Sequence, residues 1–260
     1  MKKLFVIAGT EDGRELAAFL LKNGFDVTAS VISAYGRQLL EHYEGLKIND
    51  HKLDREELAE YLAEHSIEAV VDAGHPYAEN ISKNVIDVCR EKKIPCIRYE
   101  RSEHELNYDK IYHANNYETA ADIAASLGRN VFLTTGSRSL KIFVERLKNC
   151  MVIARVLPTA EVLSECARLG LNPKQIVAML GPFSRELNVA MFRHFRADVI
   201  VTKNSGSLGG VDEKIAAASE LNLPVVMIDR PKIAFDNIAE SFDDVLDFVE
   251  RISAENRSAI

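Results

Sequence analysis

Cysteine, positive charge and long apolar segments are all scarce in this sequence of 260 residues. Its four cysteines show neither C-x-x-C spacing nor a histidine cluster, so we expect no metal site, no disulfide framework and a cytoplasmic location. Lys and Arg total 32 against 39 Asp and Glu, a formal net charge of −7 that argues against nucleic acid as a partner. No apolar run approaches the ~20 residues of a membrane span, so no membrane is expected either.

Short β-branched runs alternate with amphipathic segments along nearly the whole chain, which predicts parallel sheets covered by helices. Asp54, with Glu57 three residues later, marks the predicted start of one helix. The polar stretch of residues 99–116 reads as an irregular connector. The predicted strands are residues 4–8, 27–32, 69–72, 131–134, 151–157, 176–180, 199–202 and, as the last, 225–228.

These elements predict an α/β fold with two Rossmann-like, doubly wound parallel-sheet lobes and a ligand cleft between them. The first lobe would span residues 1–112 and the second residues 113–260. As an alternative within this division, the final helix packs back on the first lobe instead of on the second. The acidic total still permits a local cationic pocket for an anionic small molecule.

Polar residues, many of them in glycine-rich segments, stand at the ends of six of the predicted strands. Ligands of open α/β sheets bind beyond the carboxyl ends of the strands, so these segments predict a binding site. They are Gly9, Thr10, Glu11, Asp12, Gly13 and Arg14; Gly74, His75, Pro76 and Tyr77; Thr135, Gly136, Ser137 and Arg138; Arg155; Gly181, Pro182, Phe183 and Ser184; and Lys203, Asn204, Ser205 and Gly206.

The first of these segments combines a strand end, a glycine turn and a helix start, which suits a pyrophosphate group. The G-x-G-x-x-G fingerprint is absent, however, and a plain turn is the alternative. No acid follows the second strand to bind ribose hydroxyls. Ser33 and Arg37 stand there instead, which favours a 2′-phosphate and hence NADPH over NADH, unless Arg37 is merely a solvated helix residue.

Three further residues carry two interpretations each. His75 is either a general acid or, as we prefer, a hydrogen-bonded histidine that shapes the pocket. Arg155, in an apolar strand, needs an anion that is either a protein carboxylate or the ligand. Lys203 begins a glycine-rich segment that is either a ligand-binding loop or a flexible connector.

In their order along the chain, these segments resemble the precorrin-6A reductase family of cobalamin biosynthesis, including its cobalt-precorrin-6A branch. The motifs that carry the resemblance are H-P-Y-A at residues 75–78, T-T-G-S-R at 134–138, R-V-L-P at 155–158, G-P-F-S at 181–184 and T-K-N-S-G at 202–206. Two residues depart from the family pattern: Ala8 stands where the family has glycine, and Gly74 stands where threonine often precedes the His-Pro pair.

The resemblance implies an NAD(P)H-dependent oxidoreductase that transfers a hydride to a double bond of a polycarboxylate, tetrapyrrole-derived macrocycle and then protonates the neighbouring carbon. It implies a cofactor site on the first lobe, with Ser33, Arg37 and the segments at residues 9–14 and 74–77. The other segments would bind the substrate. His75, Tyr77, Lys203 and Ser205 are the candidate catalytic residues. The alternatives are a cofactor-free tetrapyrrole enzyme resembling uroporphyrinogen-III synthase and a non-catalytic nucleotide- or metabolite-binding module.

Overall fold

The computed structural model describes residues 2–101, 106–206 and 209–258, with side chains described up to Ile252 in the last helix. The chain divides into two compact units. Met1–Ser102 and Pro231–Ile260 form the first, and Glu103–Arg230 form the second. Each unit contains one six-stranded parallel sheet with helices packed against it.

The first unit begins with a regular alternation of strands and helices. Its elements up to residue 99 are β1 (Lys3–Ile7), α1 (Glu11–Lys22), β2 (Asp26–Ser30), α2 (Ala34–Gln38), β3 (Lys47–Asn49), α3 (Arg55–Glu64), β4 (Ala69–Asp72), α4 (Glu79–Lys92) and β5 (Cys96–Tyr99). The predicted start of α3 is confirmed: Asp54 accepts from the Glu57 backbone N–H, and the Glu57 side chain accepts from that of Asp54.

The second unit repeats the same alternation. Its elements are β6 (Ile111–Ala114), α5 (Tyr117–Leu127), β7 (Asn130–Leu133), α6 (Leu140–Arg146), β8 (Met151–Val156), α7 (Ala160–Arg168), a short 3-10 helix (Pro173–Gln175), β9 (Ile176–Ala178), α8 (Arg185–His194), β10 (Val199–Lys203), α9 (Val211–Glu220) and β11 (Val225–Ile228). The chain then returns to the first unit through β12 (Ile238–Ala239) and α10 (Phe242–Ser258).

The strand order has the same form in both sheets. It is β12-β5-β4-β1-β2-β3 in the first sheet and β6-β11-β10-β7-β8-β9 in the second. The chain winds outward in one direction from β1 and then in the other direction from β4, and β7 and β10 play the same parts in the second sheet. Each sheet therefore has a switch point, where ligands of doubly wound folds bind. The predicted fold class of two doubly wound, Rossmann-like sheets is confirmed.

Successive residues of the buried strands face opposite layers of helices. In β1, Leu4 and Val6 belong to a core cluster with residues of α1 and α10, whereas Phe5 belongs to one with residues of α3 and α4. The core of the second unit centres on Phe132 of β7, whose ring lies 5.1 Å from that of Phe192. Burial on both faces explains why these strands appear as uninterrupted apolar runs in the sequence.

Two predictions about the strands are wrong. Residues 225–228 do not form the last strand, because β12 follows and pairs with β5. The stretch at residues 99–116 is not wholly irregular, because it contains β6, which pairs with β11 along its length. The predicted boundary at residues 112/113 thus falls inside a strand of the second sheet, while β12 and α10 pack against β5 of the first.

Candidate active site

Four of the six polar segments identified in the sequence lie at the carboxyl edges of the sheets, beside the points where the strand order reverses. In the first unit, residues 9–13 follow β1 and residues 74–77 follow β4. In the second unit, residues 134–138 follow β7 and residues 204–206 follow β10. Parallel pairing of the two central strands brings each pair of segments together.

Thr10, which caps α1, joins the turn after β1 to the turn after β4. Its Oγ1 accepts the Gly13 N–H at 2.9 Å and donates to the Ala73 carbonyl oxygen at 3.0 Å. A Cβ atom at Gly13 would lie 2.7 Å from that carbonyl oxygen, so only glycine permits the contact. A Cβ atom at Gly9 would meet no atom within 4 Å, so the backbone there borders open space. The first amides of α1 are thus available to an anion.

Two carboxylates stand in the first turn of α1, at Glu11 and Asp12. Burial raises the pKa of Asp12, and the Arg101 guanidinium, 2.5 Å from its Oδ1, opposes that rise. Arg101 therefore offsets the charge of the more buried acid, while Arg14 adds a half-buried cation to the same turn. Amide donors, an open glycine backbone and Arg14 together fit a dinucleotide pyrophosphate.

Asp72, at the end of β4, is fully buried and holds the turn that follows it. Its Oδ1 accepts from the Gly74 N–H at 2.9 Å and from Arg98 Nη1 at 2.8 Å, while its Oδ2 accepts from Ser82 Oγ at 2.6 Å. Arg98 also contacts Glu100 at 3.3 Å. Because both of its carboxylate oxygens accept hydrogen bonds from the protein, Asp72 holds this turn in place.

His75 and Tyr77 extend from this turn, on either side of Pro76. The Tyr77 N–H donates to His75 Nδ1 at 3.2 Å, and the two ring centroids lie 5.6 Å apart. With Nδ1 as an acceptor, a neutral imidazole carries its proton on Nε2. This hydrogen bond supports our preferred interpretation of His75 as a loop-shaping residue and leaves Nε2 as the atom that would donate a proton.

Ser33 and Arg37 lie beyond the end of β2. Ser33 Oγ accepts the Gly36 N–H at 3.0 Å and caps α2. Arg37, 47% exposed, lies 2.8 Å from Asp50 and 3.0 Å from Glu41. These hydrogen bonds, the one to Asp50 foremost, raise the pKa of Arg37, and Arg37 in turn lowers the pKa of Asp50. A 2′-phosphate would have to compete with both carboxylates for this guanidinium.

The turn after β7 contains two buried hydroxyl groups that have no hydrogen-bond partner among the residues the structure describes. They are Thr135 Oγ1 and Ser139 Oγ, in side chains only 4% and 3% exposed. Between them, Gly136 has a positive φ of 78° and borders open space. Ser137 is half-buried and Arg138 is exposed. Unsatisfied buried hydroxyls are costly, so this turn is suited to a polar ligand.

Arg155, near the end of β8, is buried without a carboxylate. Its Nη1 donates to Asn188 Oδ1 at 2.7 Å, and its guanidinium carbon lies 4.1 Å from the centroid of the Phe183 ring. A Cβ atom at Gly181 would lie 2.9 Å from that ring, so the glycine admits Phe183. Burial lowers the pKa of Arg155 to about 10. No Asp or Glu among the described residues forms an ion pair with it, so its positive charge is not neutralised.

Lys203 ends β10, the other central strand of this sheet. Its Nζ lies 5.7 Å from the centroid of the Tyr117 ring. Burial, followed by the proximity of Arg138, lowers the pKa of Lys203 to about 8. Burial and the neighbouring positive charge both disfavour the charged form of the Lys203 amine. A nearby anion would offset the effect of Arg138 and favour the charged form.

Two hydrogen bonds to the backbone of Asn204 hold the start of the loop after Lys203. The Asn204 N–H donates to the Ile228 carbonyl oxygen at 3.0 Å, and Arg230 Nε donates to the Asn204 carbonyl oxygen at 2.9 Å. Gly206 has a positive φ of 76°, a conformation that favours glycine. Ser205 packs against Gly209, so both ends of the loop are held. Residues 207 and 208, part of the glycine-rich segment in the sequence, lie outside the described residues.

Comparison with known proteins covers nearly the whole chain. Residues 3–250 match the family model described as Precorrin-6x reductase CbiJ/CobK. The chain belongs to this family. A cobalt-precorrin-6A reductase of Priestia megaterium is 39% identical over 246 residues, which are 94% of this chain and 96% of the relative. A cobalt-precorrin-6A reductase of Methanocaldococcus jannaschii is 36% identical over 250 residues, covering 96% and 98% of the two chains.

A solved structure shares the fold of this precorrin-6x reductase family member. The structure of CobK precorrin-6A reductase matches with a TM-score of 0.79, covers 97% of both chains and is 24% identical in sequence. The resemblance drawn from the sequence motifs is therefore confirmed at the level of the family and of the fold.

Three residues, Asp50, Lys214 and His113, carry no assignment from the sequence. Asp50 was missed because β3, which it follows, was not predicted. Lys214 lies on the buried stripe of α9 that also includes Val211 and Ala218, and a lysine within an apolar stripe is the signal that could have revealed it. His113 lies outside the motifs identified in the sequence, and its exposed side chain places Nδ1 2.6 Å from Asp229 Oδ1.

No metal centre and no membrane-spanning helix are found among the residues that the structure describes. Across residues 2–101, 106–206 and 209–252, no three His, Cys, Asp or Glu side chains are grouped so that they could hold a metal ion. Within the described part of the chain, no helix combines the length and apolar character needed to span a membrane.

Replacing Asp72 with Ala tests its role in holding the turn after β4. The change leaves the Arg98 guanidinium buried without its nearest carboxylate, so we expect a loss of about 3–5 kcal/mol in the free energy of unfolding, measured by urea denaturation. Glu100→Ala is the matched control, because Glu100 contacts the same guanidinium but is 30% exposed; its loss should stay below about 1 kcal/mol. Equal losses in the two variants would contradict the role of Asp72.

Proposed function

We propose that this chain reduces a double bond of precorrin-6A, or of its cobalt form, with NADPH as the hydride donor. Precorrin-6x reductases are oxidoreductases of cobalamin biosynthesis that act on a CH–CH bond. The proposal adds the cofactor, assigned to the first unit, and the substrate contacts, assigned to the second.

The observation that carries the substrate assignment is the unneutralised charge of Arg155. Among the described residues, the guanidinium of Arg155 contacts an amide oxygen and the rings of Phe183 and Phe132, an arrangement that favours the arrival of a carboxylate. Lys203 and Arg138 add positive charge along the same edge, and the Thr135 and Ser139 hydroxyls supply unused hydrogen-bonding groups. A macrocycle that carries several carboxylates matches this set of groups.

The cofactor assignment rests on the turn after β1. The open backbone at Gly9, the amides of Glu11 and Asp12 and the half-buried Arg14 would hold the pyrophosphate. Residues 74–77 would border the cofactor on the other side of the switch point, because Thr10 ties the two turns together. When bound there, the reduced nicotinamide supplies the hydride.

Four side chains are candidates to supply the proton that completes the reduction. Lys203, with a pKa of about 8, would hold a proton near neutral pH and release it more readily than an exposed lysine. His75 would donate from Nε2, and the Tyr77 and Ser205 hydroxyls could relay a proton from water. Lys203 would also orient the substrate by attracting its carboxylates.

The decisive experiment supplies purified protein with precorrin-6A or cobalt-precorrin-6A and either NADPH or NADH. We expect macrocycle-dependent loss of the nicotinamide absorbance, with a product heavier than the substrate by two hydrogens, and faster turnover with NADPH. Omission of the macrocycle provides the control. A protein that binds the macrocycle but neither nicotinamide would contradict the proposal and support a cofactor-free tetrapyrrole enzyme. A protein that binds both without oxidising the nicotinamide would support a non-catalytic module.

Replacing Arg37 with Asp tests the preference for NADPH. Loss of a charge-assisted bond to the 2′-phosphate should lower the ratio of kcat/KM for NADPH to that for NADH by about tenfold or more. Asp50→Asn is the opposite arm, because it removes a carboxylate that competes for the guanidinium at 2.8 Å; this ratio should rise. If neither variant changes the ratio, Arg37 does not bind the 2′-phosphate.

Replacing Arg138 with Ala tests the substrate side. If this guanidinium pairs with a substrate carboxylate, the affinity for the macrocycle should fall by more than about tenfold, as measured by titration in the absence of nicotinamide. Arg168→Ala is the matched control, because Arg168 is an exposed arginine of the same unit in the last turn of α7, where it pairs with Glu165. Unchanged affinity in Arg138→Ala would rule out the contact.

A further inference from the structure

Lys214 is a buried cation that the proposed reaction does not yet use. It lies in the first turns of α9, is 8% exposed, and its Nζ donates to the Gly209 carbonyl oxygen at 2.6 Å. A lysine that donates to a carbonyl oxygen and forms no ion pair with the described residues is unusual at such depth, because burial penalises an ammonium group.

The charged groups around Lys214 are mostly of its own sign. Burial, the nearby Arg155 of β8 and Lys203 of β10 lower the pKa of Lys214 to about 7, with Glu213 of α9 the one group that opposes them. On α8, which packs against α9, the charged Arg185 and Arg193 both face Glu220 near the other end of α9. The surroundings of Lys214 therefore carry an excess of positive charge.

The strand order places unsatisfied hydroxyl groups between two of these cations, Lys203 and Arg155. β7 lies between β10 and β8, so the turn after β7 stands between the strand that ends in Lys203 and the strand that contains Arg155. That turn holds the buried hydroxyls of Thr135 and Ser139, which have no partner among the described residues. Like-charged groups around unsatisfied hydroxyls are the arrangement expected of an anion site.

We propose that Lys214 is the third cation of an anion site with Arg155 and Lys203, and that it takes up a proton from solution when a ligand carboxylate enters this site. The inference rests on the proposed function only for the identity of the anion, a carboxylate of the macrocycle. In this step the neutral Lys214 amine gains one proton and the buffer loses one. No bond of the ligand changes.

The pH dependence follows from the sign of the shift. Lys214 with a pKa of about 7 is partly neutral above that pH, whereas a bound anion favours the charged form and raises the pKa. Anion affinity should therefore be greatest below pH 7 and fall above it, by at most about tenfold per pH unit for one proton. Deprotonation of Lys203 should cause a second decrease in anion affinity nearer pH 8.

Isothermal titration calorimetry in two buffers that differ in ionisation enthalpy measures this proton uptake directly. The probes are benzenehexacarboxylate, which tests the anion site alone, and precorrin-6A without nicotinamide, each at about pH 7.5, between the two lysine pKa values. The wild type and the exposed control Lys174→Met should take up a proton with either probe. Lys214→Met should lose most of this uptake and bind more weakly. Lys214→Arg should bind as tightly as the wild type without the uptake, because arginine stays charged.

Thermal unfolding checks that each variant folds. Removing a cation from like-charged surroundings should not lower Tm in Lys214→Met, since methionine fills the same space. If either variant misfolds, an NMR titration of wild-type protein labelled with carbon-13 at the lysine Cε gives the result independently. One buried lysine should titrate near pH 7, and benzenehexacarboxylate should shift its titration upward.

The outcomes separate this inference from the proposed function. Equal proton uptake in the wild type and a folded Lys214→Met overturns the assignment of Lys214, as does the absence of binding or uptake with benzenehexacarboxylate. Uptake that depends on Lys214 with benzenehexacarboxylate, but no binding of precorrin-6A, supports the anion site and contradicts the proposed substrate.

Discussion

Parallel strand pairing is the constraint on which the candidate site depends. Every strand of a parallel sheet ends at the same edge, and a sheet wound outward in both directions leaves a gap beside its central strands. In this chain those central strands are β1 and β4 in one unit and β7 and β10 in the other. Glycines and hydroxyl residues that are far apart in the sequence therefore become neighbours at that edge. The loop that follows each strand determines which chemical groups a ligand meets there.

The carboxyl edges of the two sheets differ in how far their charged side chains are neutralised within the protein. In the first unit the charged groups are paired within the protein: Asp72 with Arg98, Asp12 with Arg101, and Asp50 with Arg37. This edge offers a ligand its backbone amides and the half-buried Arg14, which suit a pyrophosphate at a helix N-terminus. In the second unit, the buried Arg155 and Lys214 have an amide oxygen and a carbonyl oxygen, respectively, as their acceptors. The net charge of −7 thus coexists with a local excess of positive charge.

Local patterns in the sequence were sufficient to predict the central strands, the start of α3 and the position of the polar segments. Two-sided burial makes the central strands continuous apolar runs, and a capping box depends on residues only three apart. Strands β3, β5, β6 and β12 were not predicted. Each has only two to four residues, and pairing with β2, β4, β11 and β5, respectively, makes them strands. The same limit hid Asp50, since its place beside Arg37 depends on β3.

Contacts between side chains that are far apart in the sequence could not be predicted, for a related reason. The sequence indicated that Arg155 needs an acceptor, but the acceptor is Asn188, 33 residues away, and it becomes a neighbour only when α8 packs on the sheet. An amide oxygen satisfies a hydrogen bond without cancelling the charge, and Phe183 covers the guanidinium without neutralising it. A carboxylate in place of Asn188 would give a stable ion pair and remove the attraction for an external anion. The pairing with an amide therefore sacrifices some stability of the free protein and leaves that electrostatic energy available for binding.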